Sequence, residues 1–349
     1  MNATLKFTPD WQFYPAAEFS GFASYWDALN QQLYQSHPML DSRFVKALIK
    51  HFGDAQLLFA VYPENAAQKG NYLFTQPKNA LMWRTFLPSQ TQIAPMLCGN
   101  PQALQHVLTG LPGSAISIDL LCQDPHYSCA TQALSHTDTC NHAVTINIDL
   151  NGNFDTYWQN RSKKLQQNIT RYFNRLQNNQ LDCRLNVISQ SDALLLALER
   201  YATLETKSWK GKAGTAITAG NEQGKFYSDI LSAFATSNQA EIVELYLNNQ
   251  LAASRINVLN KNMLITLKTT YDEALSRYAP GRLLLYLLIK REFSLQRVNS
   301  IEFYTNATPD QISWSSGQRV IEHMTTYRSA NVKWLHNYLK RIKTQFTKA

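Results

Sequence analysis

The stretch from Ala253 to Arg297 constrains the fold most. Two apolar runs with strand character, Ser254–Leu259 and Met263–Thr269, are followed by the turn Ser276-Arg277-Tyr278-Ala279-Pro280-Gly281. A helix of unusual apolarity then opens with Arg282-Leu-Leu-Leu-Tyr-Leu-Leu-Ile-Lys290. A strand that ends in a glycine-bearing turn and runs into a helix commits the segment to a mixed α/β architecture. Such a junction leaves several backbone N–H groups pointing outward without an intrahelical partner. The helix dipole adds partial positive charge at the same point, so an anion such as a phosphate can be held there. The turn is therefore the first place to expect a phosphate-bearing ligand.

At 349 residues the chain exceeds the usual single-domain size, which sets an expectation of two domains. The opening residues 1–10 lack the apolar core of a signal peptide. The longest purely apolar run, Leu283–Ile289, is too short to span a bilayer. The chain thus reads as soluble and cytoplasmic, with no membrane span.

A formal net charge of +8 points to anionic partners without identifying them. Arg161, Lys163, Lys164, Arg171 and Arg175 form one acid-free cluster, and Lys333, Lys340, Arg341, Lys343 and Lys348 form another. Such runs read first as solvated faces, with nucleic acid, lipid headgroups or a phosphorylated substrate as the other readings. The five cysteines form no Cys-x-x-Cys pair. Cys122, Cys129 and Cys140 lie near His126, His136 and His142, but the spacing matches no standard zinc knuckle. Reduced thiols and no metal are expected.

Periodicity places helices over Phe19–Leu33 and Ser42–His51, and strands over Gln56–Tyr62, Tyr72–Phe74, Ala80–Thr85 and Ala115–Leu121. A polar, loop-like stretch from Gln123 to Asn141 marks a domain boundary, giving units 1–140 and 141–349. The second unit opens with strand Ala143–Leu150 and a long helix, Phe154–Asn178, with Asn153 as its N-cap. Strand Asp182–Ile188, helices Ser191–Lys207 and Lys225–Thr236, and strands Ala240–Leu247, Gln250–Asn257 and Met263–Thr269 follow. After the Leu-rich helix come strand Ser300–Tyr304 and a segment ending in a basic helix.

Three blocks carry a family resemblance. They are Phe154-Asp-Thr-Tyr-Trp-Gln-Asn-Arg-Ser-Lys-Lys164, Leu204-Glu-Thr-Lys-Ser-Trp-Lys-Gly211 with Gly214-Thr-Ala-Ile217, and Tyr271-Asp272 with Tyr278-Ala-Pro-Gly281. With the element order they resemble the GNAT acyltransferases, in the branch of the cellulose-biosynthesis-type acetyltransferases, which is related to the Fem peptidoglycan-bridge transferases. The resemblance implies an α/β (α+β) fold of tandem GNAT-like lobes, each a mixed, mostly antiparallel sheet flanked by helices, with the first lobe degenerate. It implies acyl-CoA, acetyl-CoA above all, as co-substrate and a small-molecule or saccharide acceptor, in envelope or exopolysaccharide metabolism. An aminoacyl-tRNA donor, as in the Fem branch, and a non-catalytic GNAT-like binding module are the alternatives. One departure stands out: the ordinary phosphate loop has Arg or Gln where Tyr278 stands and a small residue where Leu283 stands.

On this resemblance the donor would lie against Thr269, Thr270, Arg277, Tyr278, Ala279, Pro280, Gly281 and Arg282. Transfer to an amine or hydroxyl needs a base, oxyanion donors and an acid for the leaving thiolate. N–H groups near the Thr269–Asp272 strand end are expected as oxyanion donors. Glu205, Asp272 and Glu302 are the candidate bases, each at an element end or loop, and Tyr278 and Tyr304 are the candidate acids for the thiolate. Trp209, Lys210, Lys268 and Glu302 are the candidate acceptor contacts. Each has a plain structural alternative. Glu205 would pair with Lys207 or Lys210, Asp272 would cap a turn, and Glu302 and Tyr304 would share a solvent-facing strand face. Trp209 and Trp314 would be packing anchors.

Overall fold

The computed structural model describes residues 10–63, 69–128, 134–208, 211, 213–218 and 220–346. In chain order the described strands are β1 (Gln12–Pro15), β2 (Leu58–Tyr62), β3 (Asn71–Pro77), β4 (Met82–Thr85), β5 (Met96–Cys98), β6 (Ser117–Gln123) and β7 (Thr137–Asp149). The later strands are β8 (Cys183–Ile188), β9 (Ala240–Leu247), β10 (Gln250–Leu259), β11 (Met263–Tyr271), β12 (Ser300–Glu302) and β13 (Gly317–Tyr327). The helices are α1 (Ala23–Tyr34), α2 (Ser42–Phe52), α3 (Pro101–Leu104), α4 (Val107–Gly110), α5 (Phe154–Gln159) and α6 (Lys163–Asn178). They continue as α7 (Ser191–Thr206), α8 (Glu222–Ala235), α9 (Pro280–Leu295), α10 (Pro309–Ile312) and α11 (Ala330–Phe346). Among the described residues no helix is long and apolar enough to cross a membrane.

Two compact units result, Met1–Val144 with Arg319–Ala349, and Thr145–Gln318. The first is a mixed sheet built around antiparallel pairs β1·β2, β2·β3 and β3·β4. β4 pairs β6 in parallel, and β13 pairs β6 antiparallel with Thr325 opposite Asp119. That last pairing corrects the expected boundary. The segment after Gln318, assigned by sequence to the second unit, returns to the first as an unanticipated strand. Rings of Phe19, Trp26, Phe59 and Phe74, all fully buried, meet edge-on or tilted to fill the core.

The second unit orders its strands β7-β12-β11-β10-β9-β8. Among the described residues of this unit only β11 and β12 run parallel; the other pairings are antiparallel. Alternation along β9 sorts the helices by face. Val243 and Leu245 join a core with Leu283, Leu284 and Leu288 of α9 and Leu165 and Ile169 of α6. Glu244, between them, points the other way and takes Arg200 of α7 at 2.8 Å.

The long helix expected over Phe154–Asn178 is two helices. Ser162 accepts the Leu165 N–H at 3.2 Å and starts α6 as its N-cap, while Gln166 Nε2 donates back to the Trp158 and Arg161 carbonyls at 3.0 and 2.8 Å. Side-chain capping of both ends thus competes with helix continuation at this point. Leu165, Ile169, Tyr172 and Leu176 form the buried stripe of α6 at helical spacing.

Candidate functional site

The second unit opens where its parallel strands part. β11 and β12 pair through Met263–Ser300, Leu264–Ile301 and Ile265–Glu302. β11 then runs on to Tyr271, whereas β12 ends. At the same level the register between β10 and β11 shifts from Ile256–Lys268 to Asn257–Thr266. Leu267 is therefore the extra residue of a β-bulge, a device that bends a strand and leaves a backbone group out of the ladder. The separation creates a cleft of about 720 Å³. Thr266, Leu267, Lys268, Thr269 and Tyr271 of β11 form one wall, and Phe303 and Thr305 lie across it. Ala279, Pro280, Gly281, Arg282 and Leu285 of the α9 start, with Tyr172 of α6, form the mouth.

The mouth is narrower in donors than the sequence predicted. Ala279 adopts the left-handed conformation (φ 52°, ψ 52°) and turns the chain into α9. Its carbonyl then accepts both the Arg282 and Leu283 N–H groups, at 2.9 and 3.1 Å. Pro280 carries no N–H, so among the described residues the first turn offers the Gly281 N–H alone. The expected set of several free N–H groups is thus corrected to one. A Cβ at Gly281 would lie 3.6 Å from Tyr271 Cδ1, so the protein itself leaves room for a side chain there. Arg282 adds a guanidinium, held by Tyr172 Oη at 2.8 Å and Asp310 Oδ1 at 2.9 Å.

On the inner wall Lys268 Nζ lies 3.2 Å from Gln223 Oε1 and 3.5 Å from Glu205 Oε2. Glu205, near the end of α7, is fully buried. It accepts the Tyr201 hydroxyl at 3.2 Å, one helical turn away, and the Ile217 N–H at 2.8 Å. Burial first, and then the Glu205 charge, holds the Tyr201 and Tyr227 phenols above their ordinary value, so both stay neutral. Glu205 thus ties the loop after α7, through the Ile217 N–H, to Lys268 of β11; of its two expected partners, Lys210 lies outside the described residues.

The remaining predicted residues divide cleanly. Thr269, Ala279, Pro280, Gly281, Arg282 and Lys268 line the cleft. Thr270 and Tyr278 are buried away from it, Tyr278 within the core of the unit. Arg277 is exposed, its guanidinium 4.6 Å above the Tyr278 ring, and its carbonyl receives Arg175 Nη1. Asp272 caps the next turn through the Ala274 N–H at 2.9 Å and accepts Gln250 Nε2 at 2.9 Å. Glu302 and Tyr304 are both 3% exposed and neither lines the cleft, which corrects the solvent-facing alternative. Trp209 and Lys210 lie outside the described residues. Sequence reading passed over Arg255, Tyr172, Phe303 and Asp310, all of which line the cleft.

Two further features lie outside the cleft. In the first unit, ligand-type atoms of Cys122, His142 and His323 lie within 4.8 Å of one another. His323 Nδ1 accepts the Cys122 N–H at 2.9 Å, so its neutral ring carries the proton on Nε2. The two imidazoles stack at 4.1 Å, and burial pushes the Cys122 thiol up to about 11. In the second unit, Lys163, Gln167, Arg171, Asn174 and Arg175 line a shallow trough along α6, the polar side of that helix.

Residues 163–310 match the family model of the acetyltransferase (GNAT) domain. No curated protein matches the chain. Among solved structures, FemX superposes with a TM-score of 0.57 at 9% identity, covering 87% of this chain and 96% of that one. A conserved protein of unknown function from Bacteroides thetaiotaomicron gives 0.54 at 11% identity, covering 88% and 96%. L-PGS from Bacillus licheniformis gives 0.50 at 11% identity, covering 86% and 95%. These likenesses show a shared mixed α/β fold. The matched segment runs from the first residue of α6 to Asp310, and so contains both walls and the mouth of the cleft.

Proposed function

We propose that the second unit is an acyltransferase, moving an acyl group from an acyl-CoA thioester to an amine or hydroxyl of a small-molecule or saccharide acceptor by direct attack. The observation that carries this reading is the parting of β11 and β12 beside a bulge, with a helix N-terminus at the open end. A thioester supplies the activated carbonyl. The residues of the chain do the rest. The separated strands admit an extended, narrow ligand edge-on between them. The Gly281 N–H, the dipole of α9 and Arg282 attract negative charge at the mouth.

The bulge at Leu267 frees a backbone group at the wall, suited to donate to an oxygen as its charge develops. One such donor is worth about 10²- to 10³-fold in rate. Glu205 has a positioning role here, since its oxygens are taken by Ile217, Tyr201 and Lys268. Asp310 is the one carboxylate among the described cleft-lining residues, and it is paired with Arg282. Rate enhancement accordingly rests on proximity and on backbone polarisation rather than on a dedicated carboxylate base.

Calorimetry of the full chain with acetyl-CoA tests this: saturable heat is expected, and silence at millimolar ligand would refute it. The basic side of α6 supports a second donor class, aminoacyl-tRNA, by the resemblance to Fem transferases. That reading requires salt-sensitive tRNA binding that is lost in an Arg171→Glu, Arg175→Glu double variant.

A further inference from the structure

Arg255 is the one lysine or arginine in the buried class among the described residues, 7% exposed. It sits on β10 between Val243 of β9 and Thr269 of β11, and its side chain lines the cleft. Its Nε and Nη1 are shielded from solvent and have no hydrogen-bond partner. The guanidinium carbon lies 6.0 Å from the centre of the Phe303 ring on the facing wall. Burial pushes its pKa down to about 10, which still leaves it cationic at neutral pH.

Among the described residues, four of the five buried carboxylates of this unit meet a cation, and the fifth, Glu302, takes the Ser300 hydroxyl at 3.4 Å. Glu205 meets Lys268, Glu244 meets Arg200, and Glu241 and Glu292 meet Arg291 and Arg297. Tyr201, the group whose field acts on Arg255, is held as the neutral phenol. Withdrawing a charge from water is unfavourable unless an opposite charge meets it. Two donors without a partner, facing a cleft, mark a place where the counter-charge arrives with the ligand. Lys268, also in the lining, is matched by Glu205 and Arg282 by Asp310, so among the described lining residues Arg255 is the one cation without an ion pair. That suits a single carboxylate better than a doubly charged phosphate, and the walls formed by Leu267 and Phe303 suit a compact group.

We propose that Arg255 binds a substrate carboxylate on the inner wall of the cleft, making the protein selective for a carboxylate-bearing acyl chain or a carboxylate-bearing acceptor. The identity of the ligand rests on the acyl-transfer reading; the need for a negative charge does not. Affinities of the full chain are measured for succinyl-CoA against butyryl-CoA. In parallel, a panel of amino acids is compared with the matching decarboxylated amines in the presence of CoA. In one arm the carboxylate-bearing member is expected to bind about 10- to 100-fold more tightly. Arg255→Met is expected to erase that preference and Arg255→Lys to keep part of it. The arm that responds tells whether donor or acceptor carries the carboxylate.

The urea midpoint of ligand-free Arg255→Met is expected to equal or exceed that of the parent, because an unmatched buried charge has been removed. A midpoint lower by more than about 0.5 M would mark Arg255 as a structural cation and overturn the proposal. So would a preference that survives in Arg255→Met, or thioesters binding with no preference in either arm. If no thioester binds while the amino-acid preference and its loss in Arg255→Met persist, the acyl-CoA reading falls and the carboxylate site stands.

Discussion

Glu205→Ala separates a structural carboxylate from a catalytic one. The fully buried side chain accepts a backbone N–H from Ile217 at 2.8 Å, a bond to a charged acceptor worth about 1.5–3 kcal/mol. Its loss also strands the Tyr201 hydroxyl in a buried site, at about 1–3 kcal/mol. Lys268, 17% exposed at the side chain, loses its counter-charge but keeps Gln223 at 3.2 Å, so only a fraction of a full buried ion pair is added. Together these give a loss of about 3–5 kcal/mol, in line with breaking a buried pair. In urea, followed by tryptophan fluorescence, that loss lowers the midpoint by about 1–3 M. Glu205→Gln keeps an oxygen for Ile217 but turns its amide toward another donor, and is expected to fall between the two. The turnover of folded Glu205→Gln should drop by less than about tenfold. The reasoning is refuted if Glu205→Gln unfolds within about 0.3 M of the parent yet loses 10² or more in kcat, the signature of a general base.

Gly281→Ala should leave the urea midpoint unchanged or slightly raised, because a Cβ meets Tyr271 at an ordinary 3.6 Å and alanine favours helix. If the donor's anion sits against the Gly281 N–H, the same change raises the donor KM by about tenfold without altering stability. An unchanged KM would remove the helix start from the site. His37 is fully buried and its imidazole is pushed from 6.5 down to about 3, chiefly by burial. The unfolded chain therefore takes up a proton through a range where the native one does not. The contribution of neutral His37 is complete above pH 6.5 and falls as pH drops toward 3, by about 1.4 kcal/mol per pH unit. Urea midpoints between pH 4 and 8 should show that slope, and His37→Leu should flatten it. Ser162→Ala should cost about 1 kcal/mol by removing the α6 N-cap, read as a shift in the same midpoint.

Much of the second unit was legible because its elements declare themselves locally. The alternation of β9 to β11 and the Pro-Gly start of α9 need no distant partner to be read. The break at Ser162 was hidden by phase. Trp158 and Leu165 stand seven residues apart, so the apolar stripe of α5 continues into α6 across the interruption. Only the Ser162 and Gln166 side chains disclose the break. β13 was missed for a different reason. Its burial alternates weakly along Gly317–Tyr327, and its partner β6 lies about two hundred positions earlier. Glu302 and Tyr304 illustrate the same limit. Strand alternation put them on one face, but could not say that the strand ends at Glu302 and that Tyr304 turns to φ 43°. Arg255 was passed over because an arginine within an apolar strand reads as an exposed edge residue until the register places it opposite Thr269.

The shape of the cleft follows from what is fastened at its closed end. Parted strands forgo ladder bonds, so the opening persists only if the strands are pinned where they still pair. Arg297 reaches Glu241 on β9 at 2.7 Å, and Asn257 on β10 donates to the same carboxylate at 3.3 Å. Thr266 on β11 then donates to Asn257 Oδ1 at 3.1 Å. This line of side chains crosses three strands one step beyond Ile265–Glu302, the last pair of the parallel ladder. Arg291 and Arg297 also clasp Glu292, so α9 is tied to the sheet at the same end. Four charges balanced two against two, with every carboxylate oxygen engaged, make a rigid hinge point rather than a soft one. Beyond it the bulge at Leu267 turns β11 away, and the walls separate with no further cross-link from β11 to β12 among the described residues. A cleft framed in this way exists before any ligand arrives, so binding need not supply the free energy of opening it. The charge in its wall that lacks a partner, on Arg255, stands two residues from Asn257 on the same strand, within the most tightly fixed part of the sheet. That fastening places the Arg255 backbone at a fixed point of the wall, from which its side chain reaches the cleft.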